Sequence, residues 1–334
     1  MKAVLVYAPG YDLSLPGFDR FHPFDGRKFS RAWKIIEKRL GPSLASCWDA
    51  PADPAQDVDL LRVHSSDYLA SLAASPAVVA KALEIWPLKL LPRAIIQRRL
   101  LRPMKLAVAG TILATRRALQ GDGAVAMNVG GGFHHAFRDH GEGFCLYADV
   151  AVAIAAARAA GALRESDPIA VIDLDAHRGN GVWDILGSDP AVRVLDVYNF
   201  QTYPGLFDGD TDDFPFLVPI KAGTADGPYL DVVRRELPRF LAAMPRPRLA
   251  VYNAGTDILA GDPVGHLAVS AEGVIARDRL VLETLIGARI PTVIVTSGGY
   301  TRRSHELIAE LALSAVDQLQ ATAASVTDRL SRGT

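Results

Sequence analysis

The stretch Ile169–Gly181, "IAVIDLDAHRGNG", decides how the rest of the chain is read. It begins as an apolar run suited to a core strand and ends in two carboxylates, an imidazole and two glycines. A carboxylate at the end of a buried strand is costly unless a partner charge, a metal or a helix terminus compensates it. Asp175 and His177 flank Ala176, and in extended backbone residues i and i+2 project to the same side. One oxygen and one nitrogen ligand can therefore face one cation. A zinc site in an enzyme usually takes three protein ligands and keeps one position open. Asp257, at the end of "LAVYNAGTD" (249–257), is a natural third. The competing reading of the short motif is a carboxylate that accepts hydrogen bonds from loop amides.

Working outward, similar apolar runs recur: "KAVLVY" (2–7), "AVAMNV" (124–129), "VRVLDVY" (192–198), "LAVYNAG" (249–255) and "TVIVTSGG" (292–299). Apolar helical segments separate them, among them 31–40, 104–119, 150–163, 229–244 and 276–287. Strands that are apolar throughout, not alternating, fit a parallel sheet covered by helices on both faces. The expectation is a single-domain, three-layer α/β/α fold over 1–334, with a largely parallel central sheet. Asp149, just before "VAVAIAAARAA", is expected to cap that helix. Polar and glycine clusters follow the carboxyl ends of the runs, the edge where open parallel sheets bind ligands. Five loops are thus expected to converge there.

Those loops carry further chemistry. His134 and His135 follow Gly130, Gly131 and Gly132; glycine permits close backbone approach and unusual φ/ψ. Adjacent histidines read as a general acid/base pair near an activated water, with an exposed loop pair as the alternative. Asp173 and Asn180 are placed to orient the two rings. Tyr300, after Gly298 and Gly299, can offer a phenol to a substrate carbonyl; alone, it would read as an aromatic packed at a strand end.

Composition sets limits. Hydrophobic residues make up 49% of the 334, and 36 basic residues meet 37 acidic ones for a net charge of -1. That balance argues against direct nucleic-acid binding, which needs a basic face. One local exception, "LPRAIIQRRLLRPMK" (91–105), reads first as a solvated helix with snorkelling arginines. Cys47 and Cys145 form neither a disulfide framework nor a thiolate metal site. The N-terminal "MKAVLVYAPGYD" reads as a first strand, not a signal peptide, and no apolar run approaches the roughly 18–20 residues of a membrane span. A soluble, cytoplasmic protein is expected.

Taken together, "NVGGGFHHAF", "GFCLYADV", "VIDLDAHRGNG", "YNAGTDILAGDPVG" and "VTSGGY" resemble the zinc-dependent histone deacetylase superfamily, with its arginase/deacetylase fold, in the family's order from about residue 20 to 315. They look most like the class IV branch, which carries Asn in the "DAHxGNG" position; "HPFDGRKFSRAWKIIEK", "VHSSDYLASL" and "LPRAIIQRRLLRPMKLAVAGTI" resemble that branch too. The resemblance implies one Zn2+ per chain on Asp175, His177 and Asp257. It implies His135 as general base, paired with Asn180, and His134 as an electrostatic partner, paired with Asp173. Tyr300 would hydrogen-bond the scissile carbonyl. Phe144, with Leu206 or Phe207, would line an acyl tunnel beside Gly298 and Gly299, and Gly132 would sit near its floor. A potassium site around Asp173, Asp175 and His177 is common in the family.

The implied reaction is removal of an acyl group, acetyl or longer, from an Nε-acyl-lysine in a peptide or protein. A small acylated amine such as an acetylpolyamine is the alternative substrate. An arginase-like binuclear site is disfavoured because its "DAHxD" carboxylate position is Gly179 here. A non-catalytic acyl-lysine-binding protein is disfavoured because every implied catalytic position holds a competent side chain. Two departures stand out. Most members have Asp at the position of Asn180, so His135 is expected to be less basic here. Arg178 follows the ligand histidine where many members have His, and is expected to point away from the site.

Overall fold

All six apolar runs become strands of one eight-stranded sheet, and two short strands join them. The computed structural model describes residues 3–13, 24–206 and 214–332. In chain order the strands are β1 (Ala3–Val6), β2 (Trp48–Asp49), β3 (Val125–Asn128), β4 (Ile169–Asp173), β5 (Val192–Asn199), β6 (Leu217–Ile220), β7 (Leu249–Asn253) and β8 (Thr292–Val295). Their order across the sheet is β2-β1-β3-β8-β7-β4-β5-β6, and each pairing is parallel. β2 and β6 went unnoticed in the sequence because one is two residues long and the other is interrupted by Pro219.

Successive side chains along each strand enter opposite cores. Val125 and Met127 join one apolar layer, and Ala126 joins the other. Ala170 and Ile172 likewise separate from Ile169 and Val171. The first layer is closed by helices Lys28–Leu40, Asp226–Ala242, Ala271–Gly287 and Ser304–Arg332, the second by Arg102–Leu119 and Asp149–Ala159. Covering both faces explains why the strands need no polar alternation. Helix Arg102–Leu119 is preceded by a π turn, Gln97–Leu101. Pro103 cannot donate to the carbonyl four residues earlier, so an ordinary helical ladder fails at that place.

Asp149 does not cap its helix: the N-cap is Ala148, and Asp149 is the first helical residue. Its carboxylate reaches away to the glycine loop described below.

The carboxyl ends of β4 and β7 are adjacent, with Asp173 opposite Asn253. Arg277, fully buried on helix Ala271–Gly287, fixes them from behind. Its guanidinium donates to the carbonyls of Leu174 (3.0 Å) and Gly255 (2.6 Å) and to Asp278 (2.9 Å). Tyr252 donates its hydroxyl to the same Asp278 oxygen at 2.5 Å. Arg277→Met removes the cation and leaves Asp278 as a buried, poorly compensated carboxylate. Chemical denaturation is expected to show a loss of about 3–5 kcal/mol. A loss below about 1 kcal/mol would show that the clamp does not brace the strand ends.

Candidate active site

The residues after β4 and β7 bring Asp175, His177 and Asp257 together, all buried, with one candidate ligand atom from each within 4.8 Å of the others. His177 Nδ1 lies 3.0 Å from Asp175 Oδ1 and 2.9 Å from Asp257 Oδ2. Backbone amides hold the carboxylates in place. Gly298 N and His177 N donate to Asp175, and Ala176 N donates to Asp257, each at 2.9 Å. Burial and the neighbouring Asp175 charge push the Asp257 carboxyl up to about 7. Burial also disfavours ionised Asp175, but His134 and His177 outweigh it and hold that carboxyl well below its usual range. Two carboxylates around one imidazole therefore do not both ionise comfortably without a further cation. One nitrogen and two carboxylate oxygens are a donor set that Zn2+ accepts. The backbone leaves room for them: a Cβ on Gly298 would lie 2.3 Å from Asp257 Oδ2 and 2.6 Å from Asp175 Oδ2.

The two histidine rings lie with centroids 4.0 Å apart, tilted 46° to each other, but their environments differ. His134 Nδ1 donates to Asp173 Oδ2 at 2.8 Å. Burial alone would lower its pKa; the charges of Asp173 and Asp175, with the Asp173 hydrogen bond, reverse this and raise it to about 9. His135 Nδ1 donates to Asn180 Oδ1 at 2.6 Å. Burial, reinforced by positive charge on His134 and His177, holds His135 well below its ordinary value. At neutral pH one ring is an imidazolium and the other a neutral base with Nε2 free of a proton. The Asn180 amide is oriented by its other side. Its Nδ2 donates to Tyr203 Oη (3.3 Å) and to Glu142 Oε2 (3.5 Å), and Tyr203 donates to that same carboxylate oxygen.

Tyr300 stands with its ring edge-on to His177, centroids 6.4 Å apart, and its backbone amide donates to Asp262. Burial first, then Asp257 and Asp175, raise its pKa well above 10, so it remains a phenol that can donate. Tyr300, His134, His135, Gly132 and Gly298 border a largely apolar cavity that also includes Phe144. Leu83, Ile85, Leu100 and Met104 wall the same cavity. Phe144 packs edge-on against Tyr300, centroids 5.9 Å apart, from a left-handed backbone (φ 67°). Leu206 is 54% exposed and does not border the cavity. Its backbone lies past the end of β5, and the side chain turns to solvent. Phe207 lies outside the described residues. Gly299 is not at the cavity wall; its carbonyl, with that of Ser297, accepts from the buried Lys28 ammonium at 3.4 and 2.6 Å. Burial lowers Lys28 to about 8, with Asp257 and Asp175 opposing.

A parallel α/β sheet with a histidine–aspartate cluster beyond its carboxyl edge defines the arginase/deacetylase fold. The crystal structure of the HDA15 HD domain superposes with a TM-score of 0.73 at 19% identity, covering 95% of this chain and 88% of that one, a likeness of fold. The histone deacetylase domain model matches residues 22–316. Histone deacetylase 2 of Arabidopsis thaliana is 39% identical over 320 residues, covering 92% of this chain and 77% of that protein. Histone deacetylase-like amidohydrolase of Pseudomonas aeruginosa is 29% identical over 294 residues, covering 84% and 72%. The chain belongs to the histone deacetylase family and is an enzyme of the deacetylase, or amidohydrolase, type.

Several residues of the site escaped the sequence reading. Asn253 donates to Asp173 Oδ1 at 2.8 Å and so fixes the carboxylate behind His134. Lys28 opens helix Lys28–Leu40, and Glu142 and Tyr203 arrive from distant loops that carry no periodic signal. Asp149 serves the glycine loop and not the start of its own helix. It accepts from Gly132 N (3.0 Å), Phe133 N (2.8 Å) and the Thr111 hydroxyl (2.6 Å), pinning the loop that aims His134. Gly132 makes that loop possible: its φ is +81°, and a Cβ there would lie 2.7 Å from Ser297 N. Asp149→Ala leaves the amides of Gly132 and Phe133 without acceptors, while the Thr111 hydroxyl can turn to the Ala107 carbonyl 3.3 Å away. The substitution is expected to cost about 3 kcal/mol in urea unfolding. Turnover should fall with it as the His134 ring loses its fixed position. Unchanged stability would mean that water replaces the carboxylate freely.

Proposed function

We propose that this enzyme hydrolyses Nε-acyl-lysine amides, with Zn2+ held by Asp175, His177 and Asp257. The observation that carries the reading is that the buried triad lies directly behind a neutral His135 and the Tyr300 phenol, whose rings stand 6.0 and 6.4 Å from that of His177 and which both border one cavity. When bound, the zinc ion supplies Lewis acidity that polarises the acyl carbonyl and makes a water more acidic. His135 Nε2 takes the proton of the attacking water, since its Nδ1 proton is committed to Asn180. The Tyr300 hydroxyl donates to the carbonyl oxygen as negative charge develops there. His134, kept cationic by Asp173, adds positive charge beside the same oxygen without giving up its proton. The carbon–nitrogen bond breaks as His135 returns its proton to the leaving lysine nitrogen, giving the free amine and the carboxylic acid.

A long acyl chain suits the site better than acetyl, as the class IV resemblance implies. The support is the wall of Leu83, Ile85, Leu100, Met104 and Phe144, which offers a hydrocarbon chain far more apolar contact than a methyl group needs.

Purified enzyme with measured zinc content, assayed on acetyl-, octanoyl- and myristoyl-lysine peptides beside acetylated polyamines, tests both parts. The longer acyl-lysines are expected to have the higher kcat/KM, and chelation to remove activity that zinc restores. Tyr300→Phe should lose about 100-fold or more in kcat, and Asp257→Asn should lose both zinc and turnover. Full activity in both variants would sink the mechanism; turnover of polyamines alone would sink the lysine assignment.

The Asn180 position gives a sharper test. His135 must be neutral to act, so the acid limb of kcat/KM follows its pKa. Asn180→Asp places a negative charge against Nδ1, stabilises the imidazolium and raises that pKa. The acid limb is expected to move to higher pH by about one unit or more. A limb that stays in place would show that His135 is not the base.

A further inference from the structure

Residues 85–105 contain Lys89, Arg93, Arg98, Arg99, Arg102 and Lys105 and no Asp or Glu, in a chain whose net charge is -1. Leu88, Ile96, Leu100, Leu101 and Met104 are buried and hold this segment on the body of the protein. Yet Trp86 is 63% exposed, Leu90 79% and Ile95 40%. Core packing therefore does not account for these three side chains. Cations alternate with them along the sequence: Lys89 Nζ sits 5.9 Å over the Trp86 ring, and Arg93, Arg98 and Arg102 are exposed. Lys105 is already paired with Asp57 at 2.8 Å. Arg98, Arg99 and Arg102 border one surface cleft, where the single acidic lining residue among the described residues, Asp12, accepts from Ser30 N.

We propose that the segment from Trp86 to Arg102 docks the enzyme on an anionic lipid surface. Trp86, Leu90 and Ile95 enter the headgroup–acyl boundary, and Lys89, Arg93, Arg98 and Arg102 meet the phosphates. Aromatic and aliphatic side chains interleaved with cations and no acid are what such a surface rewards. A nucleic acid would match the charges but leave Leu90 and Ile95 in water. The position of the segment adds to this. Ile85, Leu100 and Met104, inside the same stretch, wall the cavity bordered by His134, His135 and Tyr300. A docked enzyme thus has its acyl-accepting wall directly beneath the lipid-facing segment, which fits fatty-acylated lysines on membrane-associated proteins. That choice of substrate rests on the acyl-lysine reading; the docking does not, and is measured without turnover.

The test is sedimentation of the full chain with vesicles of phosphatidylcholine alone or with about a third phosphatidylglycerol, at about 0.1 M and about 0.5 M salt. Binding is expected on the anionic vesicles, weakened by salt, and not on the neutral ones. The combined variant Arg93→Ala, Arg98→Ala and Arg102→Ala should bind about 100-fold more weakly. Trp86→Ala with Leu90→Ala should weaken binding about tenfold or more. Both variants should keep the wild-type Tm and turnover of a soluble acetyl-lysine peptide. Equal binding by wild type and variants, salt-independent binding, or binding to single-stranded RNA with none to vesicles would overturn the proposal.

Discussion

Asp175 and Asp257 approach the same nitrogen of His177 in a fully buried setting, and the rest of the molecule is arranged around that crowding. Like charges at such a distance repel strongly where the dielectric is low. The sheet makes the approach possible because β4 and β7 are neighbours in parallel register, so the residues after their last rungs emerge side by side. Two buried cations brace the same strand ends. Arg277 grips the carbonyls of Leu174 and Gly255, each adjacent to or two residues from a carboxylate of the cluster. Lys28 grips the carbonyls on either side of Gly298, whose amide donates to Asp175. Neither cation lies between the two carboxylates. They set the backbone, and they leave the centre of the cluster to a group that takes one nitrogen and two oxygens.

What the sequence reveals and what it hides divide along physical lines. Six of the strands are legible because a run apolar on both faces has few other uses in a chain with this many helical segments. The triad is legible because i and i+2 in extended backbone fix two ligands locally, and a strand end fixes where the third must be. Asp149 is misread for an equally physical reason. An acid at the first turn of a helix is favoured by capping and by the helix dipole, and nothing local says that two amides of the glycine loop compete for it and win. Lys28 sits in "DGRKFSR", a stretch whose polarity suggests a solvated helix start, yet its ammonium is fully buried. Glu142 and Tyr203 meet Asn180 only because three loops from separate strands share one edge of the sheet. Contacts of that kind have no spacing to read.

The paired histidines show how one edge produces two different groups from the same residue type. Each ring is buried, and each donates Nδ1–H to a side-chain oxygen, so desolvation pushes both toward neutrality. The difference is the charge behind the oxygen. Asp173 is a carboxylate, and with Asp175 it outweighs desolvation and keeps His134 protonated. Asn180 is neutral, and the nearest carboxylate on that side, Glu142, reaches His135 only through the amide and Tyr203. The cation created at His134 then presses on His135 from 4.0 Å and holds it neutral. Each protonation state thus helps fix the other. In the mechanism we propose, an imidazolium and a free base side by side serve two tasks at one pH: one holds positive charge where an oxyanion forms, and the other receives and returns a proton. A second carboxylate at position 180 would blunt that division by stabilising both cations, which is why this single amide says more about the chemistry than any other side chain outside the triad.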